Sequence, residues 1–131
     1  MGGNAYTNID GCNVRAREWF VCADPSKYND TQFTAGNGYS SIGIAPSANG
    51  YLKNFMFSNA APWAFAPGEG GGGSTTYIPD YYYQNTGDYA PRVGGFALDG
   101  VACGAWYWYA AYAASLATWA FGARLLYRSP A

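Results

Sequence analysis

The chain has 131 residues, of which 19% are aromatic and only 11% charged, so one folded domain, residues 1–131, is expected and a disordered chain is excluded. The net charge is −1 and the seven Lys and Arg residues are scattered, which leaves no basic stripe and makes nucleic acid an unexpected partner. Histidine is absent, which excludes Ser-His-Asp triads, Cys-His pairs and His-ligated zinc sites.

Residues 1–7 are predicted to be either a loose lead-in or the remaining stub of a larger protein that was trimmed to one domain. The first ten residues, MGGNAYTNID, have neither the charged nor the apolar segment of a signal peptide, and none is predicted. No run of 18 apolar residues is free of polar breaks, so membrane insertion is not expected. The three cysteines, Cys12, Cys22 and Cys103, form no C-x-x-C pair. Their odd number argues against a disulfide framework, and we expect them to be reduced and buried.

Residues 10–23, DGCNVRAREWFVCA, have a spacing of apolar residues that fits either a pair of strands or a short helix. The short helix is the favoured interpretation, with Val14, Trp19 and Val21 facing inward. The charged residues Arg15, Arg17 and Glu18 would then face solvent. Asp24-Pro25-Ser26 is predicted to end the element in a turn, because Pro removes a backbone donor and Asp and Ser favour turns.

The middle of the chain predicts strands separated by turns. Glycines interrupt the β-type residues of 32–44, and Pro46 and Asn49-Gly50 mark turns. Residues 51–57, YLKNFMF, are predicted to be one strand. Its core face would carry either Leu52 and Phe55 or Tyr51 and Phe57. Residues 60–67, AAPWAFAP, are predicted to be an extended apolar connector.

Two further segments lead into the C-terminal part. Residues 69–74, EGGGGS, lack the Gly-Lys-Ser/Thr ending of a phosphate-binding loop, so a flexible surface loop is predicted. Residues 75–87, TTYIPDYYYQNTG, predict a strand, a Pro-Asp turn and a tyrosine cluster. For Tyr81, Tyr82 and Tyr83 we favour core and cross-strand packing over direct ligand contact.

Residues 94–127 follow neither the period of a helix nor the alternation of a strand. The alternative is an alanine-rich buried helix around residues 109–117. From residue 96 to residue 121, every residue other than Gly and Trp is Phe, Ala, Leu, Asp, Val, Cys, Tyr, Ser or Thr. Each of these can be reached from an Asn codon by changing only its adenines, whereas Lys, Glu, Gln and Met cannot. The pattern is that of asparagine codons randomised at adenines between unvaried Gly and Trp codons.

This stretch resembles the variable region of diversity-generating retroelement target proteins, in which a reverse transcriptase copies a template repeat with adenine-specific errors into the end of a ligand-binding gene. The preceding TYIPDYYY segment is also similar to that family. The variable region would span about residues 94–127. Its unvaried positions match Gly94, Gly95, Gly100, Gly104, Ala105, Tyr107, Trp108, Ser115, Trp119, Gly122, Ala123 and Arg124.

The resemblance implies two sets of site residues. The scaffold that holds the variable backbone would be Gly95, Gly104, Trp106, Trp108, Trp119, Gly122 and Arg124. The varied, ligand-binding side chains would be Phe96, Leu98, Asp99, Ala102, Tyr109, Ala111, Tyr112, Leu116, Thr118 and Ala120. Three residues depart from the pattern of the family. Ala97 stands where Trp is common, Cys103 where Ala is common, and Phe121 where Ile is common.

The resemblance further implies an α+β, loop-rich, C-type lectin-like fold of the formylglycine-generating-enzyme type, with small antiparallel sheets and chain ends close together. A strand is predicted for residues 122–127. The implied function is binding without catalysis, metal or cofactor. Partners would be a bacterial host-surface protein or glycan and other phage tail-fibre chains, with a homo-oligomer left open. The chain would lie in a virion tail fibre or, in a prophage or bacterial setting, at the cell surface.

Two other function classes compete with receptor binding. A structural fibre-cap or decoration protein would bury the alanine-rich C-terminal segment in an oligomer interface. An enzyme of the formylglycine-generating type would need redox cysteines in its site, and the three cysteines show no such pairing. Exposure of the varied side chains distinguishes the receptor-binding protein from the structural one.

Overall fold

The computed structural model describes residues 6–29, 31–73, 75, 78, 80–94, 107–111 and 121–122. Within these residues the chain forms twelve strands and two short 3-10 turns, Pro25–Lys27 and Ala35–Asn37, with no α-helix. The strands are β1 (Tyr6–Asn8), β2 (Cys12–Arg15), β3 (Glu18–Val21), β4 (Ser40–Ile44), β5 (Gly50–Tyr51), β6 (Asn54–Phe57), β7 (Phe65–Glu69), β8 (Tyr81–Gln84), β9 (Asp88–Tyr89), β10 (Arg92–Val93), β11 (Trp108–Ala110) and β12 (Phe121–Gly122).

The strands form three small sheets. The largest has the order β12-β1-β10-β11-β8-β5, the second β4-β3-β2-β9, and the third is the pair β6-β7. All pairings are antiparallel except β1 with β12 and β8 with β11. The first of these places Tyr6 opposite Phe121, so segments near the two ends of the chain are neighbours. No helix in the described part of the chain is long and apolar enough to cross a membrane.

The expected α+β, C-type lectin-like fold class is wrong, because the described chain is built almost entirely of strands. The helix favoured for residues 10–23 is the clearest case. That segment is a β-hairpin in which Val14 pairs with Trp19 and Cys12 with Val21, all four side chains being buried. Ala16 and Arg17 both have positive φ, as in the tight two-residue turns that match the twist of a hairpin.

The following turn is confirmed. Asp24 caps the 3-10 turn Pro25–Lys27, and its Oδ1 accepts a hydrogen bond from the backbone N of Ser26 at 3.0 Å. Pro25 occupies the first position of the turn, where a missing backbone donor costs nothing.

The single strand predicted for residues 51–57 is wrong, since the chain passes there from one sheet to another. β5 ends at Tyr51 and β6 begins at Asn54. Between them the backbone N of Leu52 bonds to the O of Asp80, and that of Lys53 to the O of Glu69. The first of the two predicted core faces is confirmed: Leu52 is fully buried and Phe55 packs against the core, whereas Phe57 is 69% exposed.

The predicted apolar connector and glycine loop are more structured than expected. Residues 65–69 form β7, which pairs with β6. The glycines that follow allow two backbones to approach closely. A Cβ on Gly50 would lie 2.9 Å from the Cα of Gly71, and the N of Gly72 donates to the O of Tyr51 at 2.8 Å. A surface loop with free backbone is therefore the wrong description for Gly71 and Gly72, which pack on β5.

The main core lies between the six-stranded and four-stranded sheets. Its central ring is Trp19, which is fully buried and meets Trp108 edge to face, with ring centroids 5.3 Å apart. The buried members of this cluster are Cys12, Val14, Trp19, Val21, Ile42, Ala45, Leu52, Ala61, Ala66, Tyr82, Trp108 and Ala110. Because β11 contributes Trp108 and Ala110, the core fixes one face of the strand that carries predicted site residues.

Two of the three cysteines lie in the described part of the chain. Cys12 and Cys22 are buried free thiols, and Cys103 lies outside the described residues. Burial raises the pKa of the Cys12 thiol from 9.0 to about 12. The unfolded chain therefore loses this proton at lower pH than the folded chain, so stability due to Cys12 is present below pH 9 and declines as the pH rises from there toward 12.

We expect three free thiols per chain when the denatured, unreduced protein is titrated with a thiol reagent. In the native protein at pH 8, alkylation of Cys12 and Cys22 should be far slower than in denaturant, because both are buried and Cys12 remains a neutral thiol. Peptide mapping after timed alkylation measures each site. A count of one thiol, or labelling of Cys12 at the same rate with and without denaturant, would contradict this assignment.

Candidate ligand-binding face

Strand β11 divides its side chains between two environments. Trp108 and Ala110 point into the core and are buried. Tyr109 points to the opposite face of the sheet and is half-buried. This alternation is the ordinary consequence of strand geometry, in which successive side chains leave the backbone on opposite sides. One short stretch of chain thus supplies both core packing and a second, tyrosine-bearing surface.

The face opposite the core carries four half-buried tyrosines on three adjacent strands, β5, β8 and β11. The strand register places Tyr51 opposite Tyr81 and Tyr83 opposite Tyr109. Tyr81 and Tyr83 are two residues apart on β8, so all four side chains share one face. We call these residues, Tyr51, Tyr81, Tyr83 and Tyr109, the tyrosine face.

The rings of the tyrosine face pack in pairs. Tyr83 stacks on Tyr109 with ring centroids 5.0 Å apart and an interplanar angle of 21°. Tyr51 meets Tyr81 edge to face at 5.4 Å. Tyr107, two residues before Tyr109, lies nearly parallel to it at 6.4 Å. Such contacts each stabilise by about 0.5–1.5 kcal/mol beyond area burial, so the rings form a preorganised surface.

Not all of this side of the sheet is open. Arg92 pairs with Tyr109 across β10 and β11 and has an exposure of 0%. Tyr107 is also buried. Accessible tyrosine surface therefore lies toward β8 and β5, away from β10. In contact surfaces of this composition, tyrosine supplies broad contact area and a hydroxyl at low cost in side-chain entropy.

The structure describes only part of the predicted site. Among the predicted ligand-binding residues, Tyr109 and Ala111 are described and both are half-buried. The other eight, Phe96, Leu98, Asp99, Ala102, Tyr112, Leu116, Thr118 and Ala120, lie outside the described residues. Of the predicted scaffold, Trp108 is buried in the core and Gly122 lies in β12, while Gly95, Gly104, Trp106, Trp119 and Arg124 are outside.

The tyrosines of β8 serve both as packing residues and as part of an accessible surface. Packing is confirmed for Tyr82, which is fully buried in the core. Tyr81 and Tyr83 pack across strands as expected, yet they remain half-buried on the tyrosine face. Tyr51 was missed as a face residue. Its signal was the alternation with Leu52, which places Tyr51 on the opposite side from the core.

The described residues contain no cluster of three or more Cys, Asp or Glu side chains that could hold a metal ion. The charged groups form three ion pairs among the described residues, all at the surface: Arg15–Asp88, Lys27–Asp24 and Lys53–Glu69. None of these pairs involves a residue of the tyrosine face.

Comparisons of the chain with protein-family models, with curated proteins and with solved structures found no significant match.

Proposed function

We propose that this chain is a ligand-binding domain of the diversity-generating retroelement type, in which a varied segment displays its side chains from a fixed β-scaffold. The observation that carries the proposal is the division of β11. Trp108, an unvaried position of the pattern, packs against Trp19 in the core. Tyr109, the adjacent varied position, points to the tyrosine face. A change at residue 109 can thus alter the surface while the core contact of residue 108 is kept.

The composition of the face favours recognition of a macromolecular surface. Tyrosine rings bind by broad apolar contact combined with a few hydroxyl hydrogen bonds, and they dominate the binding energy of many protein contact surfaces. A bacterial surface protein or glycan fits this chemistry, and a phage tail fibre or a bacterial cell surface is the corresponding location. The domain would act by binding alone, with no cofactor.

We expect Tyr109→Ser to weaken binding to the recognised bacterial surface by about tenfold or more, since it removes an aromatic anchor. It should also cost about 1–3 kcal/mol of stability through its stacking on Tyr83 and Tyr107. The measurement is adsorption of the labelled protein to a panel of bacterial strains, followed by titration on an adsorbing strain. Titrations are run below the melting temperature of every variant.

The matched control is Tyr89→Ser, because Tyr89 is half-buried on β9 of the other sheet. This variant should adsorb like the unmodified protein. Equal adsorption of the Tyr109 and Tyr89 variants would contradict the proposed binding face. A different result would favour the structural role in a phage fibre: the parent protein binds no strain but self-associates, and the Tyr109 variant no longer self-associates.

A further inference from the structure

A second concave site lies on the core side of β11, opposite the tyrosine face. It is a cavity of about 210 Å³ lined by the start of β2, the end of β3, β7 and the segment before β7. Four of its lining side chains are aromatic: Tyr28, Trp63, Phe65 and Trp108. Phe65 and Trp108 are held edge to face at 6.1 Å. Four aromatic rings from three separate parts of the chain therefore converge on one small space.

Two of these rings are exposed to solvent rather than packed in the core. Trp63 is 58% exposed and Tyr28 is 41% exposed. Exposed aromatic rings that border the same cavity are typical of a surface that another molecule covers. Both rings border the cavity, while the deeper Trp108 belongs to the main core. The cavity thus has a rigid aromatic base and an exposed aromatic rim.

The backbone at Gly11 holds Tyr28 in place. Gly11 has φ +70°, and a Cβ built on it would lie 2.6 Å from Cζ of Tyr28. The ring of Tyr28 therefore rests directly against a backbone that carries no side chain. Any larger residue at position 11 would displace the ring from the rim of the cavity.

The charge at the rim is negative. Asp10 lines the cavity, is exposed, and forms no ion pair within the described residues. The lining contains no Lys or Arg. Desolvation by burial raises the pKa of the Tyr28 hydroxyl, and the nearby acidic groups, the Cys22 thiol and the Asp10 and Asp24 carboxyls, raise it further. An uncompensated carboxylate beside aromatic rings favours a cationic occupant.

We propose that this cavity binds a trimethylammonium group, held by the rings of Tyr28, Trp63 and Phe65 with Asp10 as its counter-charge. Attraction of a cation to aromatic faces is the established chemistry for quaternary ammonium recognition. The volume lies below the range of about 300–1,000 Å³ typical of drug-sized ligands, so a small headgroup suits it. Three sources carry this group: free choline, a trimethyllysine side chain and a phosphatidylcholine headgroup.

The test is a fluorescence and calorimetric titration of the whole chain with tetramethylammonium and choline, compared with 3,3-dimethylbutan-1-ol. The alcohol has the shape of choline but no charge. We expect saturable binding of both cations and at least about tenfold weaker binding of the alcohol. Equal binding of choline and the alcohol, or no saturable binding of either cation, would overturn the proposal.

Variants locate the site. Trp63→Ala and Asp10→Asn should each weaken tetramethylammonium binding by about tenfold or more, without unfolding, since both side chains are exposed. Ile44→Ala is the control, because Ile44 is an exposed apolar side chain that does not line the cavity. Unchanged binding in Trp63→Ala, or an equal loss in Ile44→Ala, would overturn the assignment.

The same titration, repeated with a trimethyllysine peptide and with phosphatidylcholine vesicles, identifies the source of the trimethylammonium group. Tighter binding of a trimethyllysine peptide, or of phosphatidylcholine vesicles, than of choline would support the site and name its natural ligand class. Failure of the cations to bind would not contradict the proposed binding by the tyrosine face. The two sites lie on opposite sides of β11, and different variants test them.

Discussion

Trp108→Ala is expected to lower the free energy of unfolding by about 3–5 kcal/mol, as other large-to-small aromatic changes in cores do. Trp108 is only 7% exposed, and its ring centroid lies 5.3 Å from that of Trp19 and 6.1 Å from that of Phe65. Its removal would leave a cavity beside both rings. Because typical domains are stable by about 5–15 kcal/mol, much of the variant should be unfolded or aggregated at 37 °C. Denaturant unfolding followed by tryptophan fluorescence measures the change.

Two further variants show whether packing is the cause. Trp108→Phe should cost much less than Trp108→Ala, because no acceptor in the described part of the chain bonds the buried Nε1 of Trp108, and Phe removes that donor. Trp63→Ala, at an exposed tryptophan, should stay within about 0.5 kcal/mol of the parent. A cost below about 1 kcal/mol for Trp108→Ala would mean that β11 is not fixed by the core.

The second large effect is expected at Gln84, where Gln84→Met should cost about 1–3 kcal/mol despite similar side-chain length. The buried Oε1 of Gln84 accepts hydrogen bonds from Nε1 of Trp19 at 3.0 Å and from the hydroxyl of Tyr82 at 2.7 Å. In the variant, Tyr82 can donate instead to the backbone O of Pro46, which lies 3.1 Å away. Trp19 would be left with a buried, unbonded N–H.

A double-mutant cycle isolates this hydrogen bond. In a Trp19→Phe background the donor is absent, so Gln84→Met should cost less than it does in the parent chain. Equilibrium unfolding of the four proteins gives the coupling energy. If the two single costs simply add, the Trp19–Gln84 bond contributes nothing to stability and the assigned network is incorrect.

The hairpin at residues 10–23 shows why the sequence pattern predicted a helix where the structure has strands. Its core pattern is carried by Val14, Trp19 and Val21, and the turn between them uses Ala16 and Arg17 rather than the Asn and Gly that usually mark such turns. Without a turn signal, the same residues also fit a helical face. Tertiary pairing with β4 and β9 decided the outcome, and no local pattern encodes that pairing.

The tyrosine face was only partly predictable. Strand alternation limited the core face of residues 51–57 to two sets, of which the structure selects Leu52 and Phe55, and packing was favoured for all three tyrosines of β8, of which only Tyr82 lies in the core. That Tyr51, Tyr83 and Tyr109 would share one surface depended on the order β5-β8-β11, including a parallel pairing between strands far apart in sequence. Such long-range order has no short-range signature. The cavity beside Trp63 likewise combines residues from distant segments.

We propose that the varied and unvaried residues of 94–127 separate into displayed and core-packed sets. The most direct measurement is the DNA sequence around codons 94–127 in the source genome and its close variants. We expect an adjacent reverse-transcriptase gene and a near-identical repeat that differs only at adenines, with changes at the Tyr109 codon and none at the Trp108 codon. Absence of any such repeat, or differences that fall on the Trp108 codon, would contradict the proposed function.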